Sequence, residues 1–88
     1  MTVERFHQIF EEADSKWTGD NAFAGLQIIA KYIDPKQNDI IKGAEHDVLY
    51  SVNVDKIIEA GITEEDAIAL AQLNWSIDEG FDGLMCFV

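Results

Sequence analysis

The sequence predicts an α+β fold with about four helices and a three-stranded antiparallel sheet. Apolar residues recur every three or four positions over residues 3–17, and residues 22–33 are apolar except for one narrow polar stripe, which together are typical of helices. Short apolar or alternating segments at 46–53 and 75–88 indicate strands instead. The predicted order is α-α-β-α-α-β-β. A chain of 88 residues is expected to form one domain, over residues 1–88.

Two helices are predicted in the N-terminal part. Thr2 can cap the first, which places five apolar side chains on one stripe: Val3, Phe6, Phe10, Ala13 and Trp17. Asp20 can cap the second, which is apolar on most sides. Pro35 disfavours helical backbone at the residue before it, so this helix should stop near Ile33. Gly25 costs about 1 kcal/mol relative to Ala inside a helix, which indicates close packing against a neighbouring element.

The middle of the chain contains one predicted strand. Residues 35–46 are expected to be mostly irregular, with Ile40-Ile41 as a candidate short strand. Residues 46–53 alternate in polarity, which predicts a half-buried strand. The alternation divides this strand into two faces: Val48, Tyr50 and Val52 on one, and Asp47, Leu49 and Ser51 on the other.

The C-terminal part predicts two helices and a hairpin. A short helix over 54–60 ends at Gly61, which favours left-handed backbone, and Thr63 caps a helix that runs to about Asn74. Trp75 is expected in the core. The last strand, at 84–88, is apolar on both faces. It should therefore lie in the middle of the sheet, or a partner should cover its second face.

The charge of the chain excludes several classes of function. There are 17 acidic residues against 6 Lys and Arg, for a formal net charge of −11. Such a chain cannot hold bare nucleic acid by neutralising phosphates, and anionic membranes repel it. Residues 1–42 carry −2 and residues 43–88 carry −9, with Lys56 the only Lys or Arg in the second part. The excess of acid predicts a basic protein surface as the partner.

The sequence also predicts where the protein works. The single cysteine, Cys86, permits no internal disulfide and suits a reducing compartment. The N-terminus does not have the pattern of a secretory signal, and no apolar run reaches the length that crosses a bilayer. These features predict a cytoplasmic protein.

Eight acidic residues are the candidate partner-binding residues. They are Glu45, Asp47, Glu59, Glu64, Glu65, Asp78, Glu79 and Asp82. A negative surface steers association with a basic partner and can occupy positions that nucleic-acid phosphates otherwise take. The alternative is a solvated surface with helix capping. It accounts for the acids at 64–66, because carboxylates stabilise a helix N-terminus, but not for Glu59 near a helix C-terminus.

The sequence predicts no enzyme, no metal site and no cofactor. The consecutive residues 45–47 would point to alternate faces of a strand, and His7 with Glu11 supplies only two ligands. Cys86 lies in an apolar strand, where a free cysteine usually acts as a small hydrophobe. The chain contains no glycine-rich phosphate loop and no serine elbow.

Residues 54–70 resemble a helix-turn-helix at three positions: Gly61 in the turn, Ile62 pointing inward and Thr63 capping the second helix. With a strand before it and a hairpin after it, the segment 46–88 resembles a winged helix. In DNA-binding proteins of this kind the second helix meets bases and phosphates. Here its first turn is Glu64-Glu65-Asp66 and the wing is acidic, so the usual DNA face has the wrong sign for DNA.

Four segments are similar to small acidic proteins encoded by phages and prophages: 43–51, 62–66, 73–78 and 86–88. In size and acidity, though in no motif, the chain is also similar to phage inhibitors of host defence, such as anti-CRISPR and anti-restriction proteins. In this chain the face that binds DNA in winged helices is acidic. This excess of acid predicts a binding protein that blocks the nucleic-acid-binding surface of a host defence or DNA-processing complex. The alternative is a protein-interaction module or homodimer that uses apolar surface around the C-terminal strand, with acids only for solubility.

Overall fold

Helices and strands alternate in pairs along residues 1–14 and 19–88, which the computed structural model describes. The helices are α1 (Val3–Glu12), α2 (Asn21–Ala30), α3 (Val54–Glu59) and α4 (Glu64–Gln72). The strands are β1 (Gly43–Glu45), β2 (Val48–Asn53), β3 (Trp75–Asp78) and β4 (Gly83–Phe87). All strand pairs are antiparallel, in the order β1-β2-β4-β3. The α+β class and the interior position of the C-terminal strand are confirmed, whereas Trp17 lies outside the described residues.

A fourth strand corrects the predicted count of three. β1 forms a hairpin with β2, so the element order is α-α-β-β-α-α-β-β. The candidate strand at Ile40-Ile41 is wrong, and the strand predicted from position 46 begins at Val48. His46 and Asp47 adopt φ angles of 51° and 66°. Two consecutive left-handed residues form the tight turn of a two-residue hairpin, which apolar alternation alone does not reveal.

A β-bulge in β2 changes which of its side chains point toward the core. The register against β4 shifts after Tyr50, and an extra residue in one strand reverses the alternation of its side chains. Val48 and Tyr50 stay outside the core, whereas Ser51 and Val52 are both fully buried. The Ser51 hydroxyl donates to the Ile40 carbonyl at 2.7 Å. The prediction that Val52 shares a face with Val48 and Tyr50 is therefore wrong.

The helices α1, α2 and α4 begin at the predicted caps. Each capping side chain accepts a hydrogen bond from a backbone N–H: Thr2 from Arg5 at 3.1 Å, Asp20 from Phe23 at 3.1 Å and Thr63 from Asp66 at 3.2 Å. Gly61 follows α3 with φ 93°, as predicted for its left-handed position. α4 ends before the predicted Asn74 because Asn74 itself is left-handed, with φ 66°. α2 stops as a regular helix at Ala30, three residues earlier than predicted.

The core lies between the helices and one face of the sheet. On α1, Phe6 is buried and Phe10 stacks on it with ring centroids 5.0 Å apart. Ile9 is buried in place of the predicted Val3, which is exposed. Every strand residue of the core cluster other than Val52 lies on the side of Leu84: Trp75, Ile77, Leu49 and Cys86. The helices therefore occupy a single side of the sheet.

The tightest contact in this core joins α2 to β3. A Cβ built on Gly25 would lie 2.7 Å from Cζ2 of Trp75 and nearer still to its Nε1 and Cε2 atoms. The indole N–H donates to the backbone carbonyl of Asn21 at 3.0 Å. Trp75 is thus a core residue, as predicted, and it is the neighbour that the glycine in α2 accommodates.

We expect Gly25→Ala to lower the free energy of unfolding, although alanine is the better helix former by about 1 kcal/mol. The added methyl group overlaps a rigid indole, which puts the cost at the upper end of the about 1–3 kcal/mol typical of overpacked cores. Urea denaturation measures the difference. Gly43→Ala is the matched control, because a Cβ there would have no atom within 4 Å. An unfolding midpoint for Gly25→Ala at or above that of the wild type would contradict the contact.

Candidate functional site

The eight predicted partner-binding carboxylates lie in three places rather than on one continuous face. Two belong to the β1–β2 turn region, three to the end of β3 and the β3–β4 connection, and three to the α3–α4 region. In that order they are Glu45 and Asp47; Asp78, Glu79 and Asp82; and Glu59, Glu64 and Glu65.

The first place is the tight turn between β1 and β2. Glu45 pairs with Val48 across the hairpin, and its carboxylate lies 4.0 Å from the imidazole of His46. Both side chains are largely exposed. The backbone carbonyl of Asp47 accepts a hydrogen bond from the Val88 N–H at 2.8 Å, which ties the turn to the end of β4. We refer to Glu45 and Asp47 as the turn carboxylates.

The second place is the connection between β3 and β4. The half-buried Asp78 accepts a hydrogen bond from the Gly80 N–H at 2.7 Å, and Glu79 beside it is exposed. Asp82 is engaged in the fold, since its carboxylate lies 3.0 Å from Nε2 of His7 and its carbonyl accepts from the Val54 N–H at 2.9 Å. We refer to Asp78 and Glu79 as the loop carboxylates, and assign Asp82 a structural role.

The turn carboxylates and the loop carboxylates lie at opposite ends of the sheet because β2 and β4 are antiparallel. Val48, next to the turn, pairs with Phe87 at the end of β4, whereas Asn53 pairs with Gly83 at its start. At 3.3 Å per residue, the steps from Gly83 to Phe87 separate the two groups by about 13 Å along β4. The register thus divides the sheet acids into two groups with the strand interior between them.

The first turn of α4 uses two of its acids inside the fold. Glu64 is ion-paired with Arg5 of α1, and the hydrogen bond from Arg5 holds the pKa of Glu64 below its usual value. Asp66 accepts hydrogen bonds from Nζ of Lys31, at 2.8 Å, and from the hydroxyl of Tyr32. These two bonds lower the pKa of Asp66, and the same contact raises the pKa of Lys31. The acids of this turn therefore hold α1 and the end of α2 against α4.

Glu59 and Glu65 are exposed and belong to neither group on the sheet. Glu59 is the last residue of α3, and it lines one surface cavity together with Lys42 and Lys56. Asp55 lines the same cavity, so the charge of Glu59 is set among two lysines and one further acid. Glu65 lies in the first turn of α4, where the helix dipole favours a carboxylate.

Between the two groups of sheet acids lies an apolar surface that faces away from the helices. Its strand residues belong to pairs that alternate with the buried ones: Tyr50 opposite Met85, and Val48 opposite Phe87. Phe81 lies against Tyr50, with ring centroids 5.4 Å apart, and occupies space that a side chain at position 83 would fill. We call this surface the open face; it comprises Val48, Tyr50, Phe81, Met85 and Phe87.

Sequence reasoning found part of the open face. The second apolar side of the last strand indicated Met85 and Phe87. It did not indicate Phe81, because Phe81 lies in a loop whose acidic residues give it the sequence pattern of an exposed connection. Gly83 at the entry of β4 is the available signal, because a glycine in a strand often marks a close approach by another group.

Cys86, His7 and Glu11 are residues whose side-chain chemistry could serve catalysis or metal binding. Cys86 is buried, accepts a hydrogen bond from the Asn21 amide at 3.3 Å, and has a pKa raised by burial. His7 and Glu11 line a cavity of about 180 Å³, where His7 contacts Asp82. Within residues 1–14 and 19–88, no three His, Cys, Asp or Glu side chains are grouped so that they could hold a metal ion.

Comparison with known proteins found no matching family model, no matching curated protein and no matching solved structure. None of the helices in the described part of the chain combines the length and the hydrophobicity needed to cross a membrane.

The ion pair between Lys31 and Asp66 predicts an acid-sensitive contribution to stability. Because the folded pKa of Asp66 is lowered, this contribution is present above the unfolded value of about 3.9 and is lost as the pH falls through the folded value. The raised pKa of Lys31 has the opposite sign, so its contribution is lost as the pH rises above about 10.4. The urea midpoint of Lys31→Met should therefore lie below that of the wild type. This difference should be largest near neutral pH and should shrink toward acid.

Lys36→Met is the matched control for this titration. The Lys36 ammonium has no partner within the described residues, so its removal should leave the pH dependence of the wild type unchanged. A deficit in Lys31→Met that stays constant from neutral to acidic pH would contradict the assignment.

Cys86 is expected to resist alkylation in the folded protein, since its thiol is buried and its pKa is raised. Iodoacetamide should label it at least about a hundredfold more slowly in native buffer than in urea, because labelling requires the core to open. The control is Gln37→Cys in a Cys86→Ala background, which presents an exposed thiol. Equal labelling rates for the two proteins would make Cys86 a candidate nucleophile again.

Proposed function

We propose that this chain is a non-enzymatic acidic protein that binds a basic protein surface, of the kind through which a host defence or DNA-processing complex holds nucleic acid. The observation that carries the proposal is the charge of the sheet. Residues 43–53 and 75–88 contain all four strands of the described sheet and both hairpin connections. They include five Asp or Glu and no Lys or Arg.

The helical side of the molecule has a different charge arrangement. Arg5 and Lys31 form ion pairs there with acids of α4. The turn carboxylates and loop carboxylates have no Lys or Arg partner within residues 1–14 and 19–88. Unpaired carboxylates on a surface without cations give a field of one sign, which speeds association with a basic partner and disfavours acidic ones.

The helix-turn-helix resemblance supports the same class of partner. β2 precedes the α3–α4 pair and the β3–β4 hairpin follows it, which is the element order of a winged helix. The first turn of α4 contains no Lys or Arg that could receive DNA phosphates, and its Glu65 carboxylate would repel them. A protein surface that binds nucleic-acid phosphates is positively charged, which complements the carboxylates of this chain. The proposal places the chain in the cytoplasm, where its thiol stays reduced and such complexes operate.

The open face favours a second candidate function. In this alternative the chain is a protein-interaction module or homodimer joined through apolar contacts, and its carboxylates serve solubility only. The two candidates differ in a measurable way, since only the first requires that binding depend on the sheet carboxylates and weaken steeply with salt.

Capture from a lysate of the organism that encodes the chain tests the proposal. The immobilised wild type should retain a nucleic-acid-binding protein or complex that then no longer binds a labelled duplex. Retention should fall by at least about tenfold between low salt and several hundred millimolar salt. The test variant neutralises both groups of sheet acids: Glu45→Gln, Asp47→Asn, Asp78→Asn and Glu79→Gln.

A control variant loses the same four negative charges away from the sheet. Its substitutions are Glu4→Gln, Glu12→Gln, Asp14→Asn and Asp39→Asn. We expect the test variant to lose capture and the control to keep it. Equal capture by the two variants, or capture that is indifferent to salt, would reject the proposal in favour of the second candidate.

A further inference from the structure

The geometry points to the open face as the docking site for a basic amphipathic helix of about four turns. This inference rests on the proposed function, because it names the surface that the acidic protein presents and the form of the partner that fits it. It is carried by an apolar strand surface that no described element covers and by the position of the two acidic groups at its ends.

The open face is apolar at its centre. Phe87 is 53% exposed and Phe81 is 46% exposed, and Tyr50 and Met85 lie between them half-buried. None of the strand residues on this face belongs to the core cluster. Contiguous apolar surface of this kind, with polar residues at its border, is typical of a protein-binding site.

The backbone of the sheet decides what can cover this face. β2 and β4 are interior strands whose N–H and C=O groups are paired with their neighbours. A segment lying on them therefore has to satisfy its own backbone hydrogen bonds. A helix does so within itself, whereas an extended segment would instead add to an edge at β1 or β3.

The charges set the length of that helix and the sign of its ends. Glu45 and Asp78 pair with Val48 and Gly83, so both carboxylates project on the side of the open face. They lie about 13 Å apart along the strands and, on the outer strands β1 and β3, about 14 Å apart across them. A helix that crosses the face diagonally between them spans about 20 Å, or about thirteen residues at 1.5 Å per residue. Lys or Arg in the first and last turns would then meet the loop and turn carboxylates, with apolar residues between them.

A second copy of this chain is the less suitable occupant. Two open faces related by a twofold axis would bring the same surface into contact with itself. The charged side chains at the ends of that surface are acidic, apart from His46. Such a dimer would oppose carboxylates to carboxylates, which disfavours association.

A synthetic peptide of about fourteen residues, or about four helical turns, is the probe. It carries Arg and Lys in its first and last turns and Leu at positions i, i+3, i+4 and i+7 between them. With methyl-labelled methionine, the Met85 signal should shift on titration while that of Met1 stays in place. A peptide with Glu in place of Arg and Lys should not bind.

Two phenylalanines of similar exposure make a matched pair of variants. Phe87→Ser removes an aromatic ring from the open face, and we expect it to weaken peptide binding by about tenfold or more. Phe23→Ser removes a ring that is 58% exposed on α2 and should change binding less than about twofold. Circular dichroism establishes that both variants fold. Phe81→Ser is a second variant on the open face and should also weaken binding.

Three outcomes would overturn the inference. Peptide binding that Phe87→Ser and Phe81→Ser leave unchanged, or the absence of any binding, would exclude the open face as the helix site. A dimer in sedimentation that Phe87→Ser dissociates would assign the face to a second copy. The proposed function fails separately, when neutralising the sheet carboxylates leaves capture from the lysate intact.

Discussion

The contact between the Trp75 indole and the backbone of α2 is the constraint on which the rest of the structure depends. It requires glycine at position 25, and it places the indole N–H on the Asn21 carbonyl. The Asn21 amide in turn donates to the Leu73 carbonyl, at 2.8 Å, and to the Cys86 sulfur. Because buried polar groups must find partners, this arrangement locks α2, the end of α4, β3 and β4 in one geometry. It also holds the helices on one side of the sheet, and this arrangement leaves the open face uncovered.

Much of the fold could be predicted because local chemistry specifies it. Caps such as Thr63 and the left-handed Gly61 depend on neighbouring residues alone, and Gly25 inside an apolar helix already implied a close neighbour. The hairpin turn at His46 and Asp47 could not be predicted in the same way. Its residues are not the Asn-Gly type that marks such turns, so their positive φ angles follow from the pairing of β1 with β2.

The candidate site was predictable in its residue types but not in its arrangement. Charge counting identifies the carboxylates, yet which of them serve the fold depends on residues far away in sequence. Arg5 and Glu64 are 59 positions apart, and His7 and Asp82 are 75 apart. The division of the remaining acids into two groups follows from the antiparallel register of β2 and β4, which no periodicity in either strand reports.

In the proposed function, the carboxylates that select a basic partner would also oppose association of the free protein with itself. A sheet with an apolar open face and two edges, β1 and β3, is exposed to pairing between copies at its edges and to stacking on its face. Glu45 ends β1 and Asp78 ends β3, so each edge terminates in a carboxylate. Like charges oppose both modes of self-association, whereas a partner with cations at matching positions relieves the repulsion and buries the apolar centre. In the proposed function, acidity and apolarity on this sheet therefore act together: the charge would determine which molecule approaches, and the open face would supply the contact area.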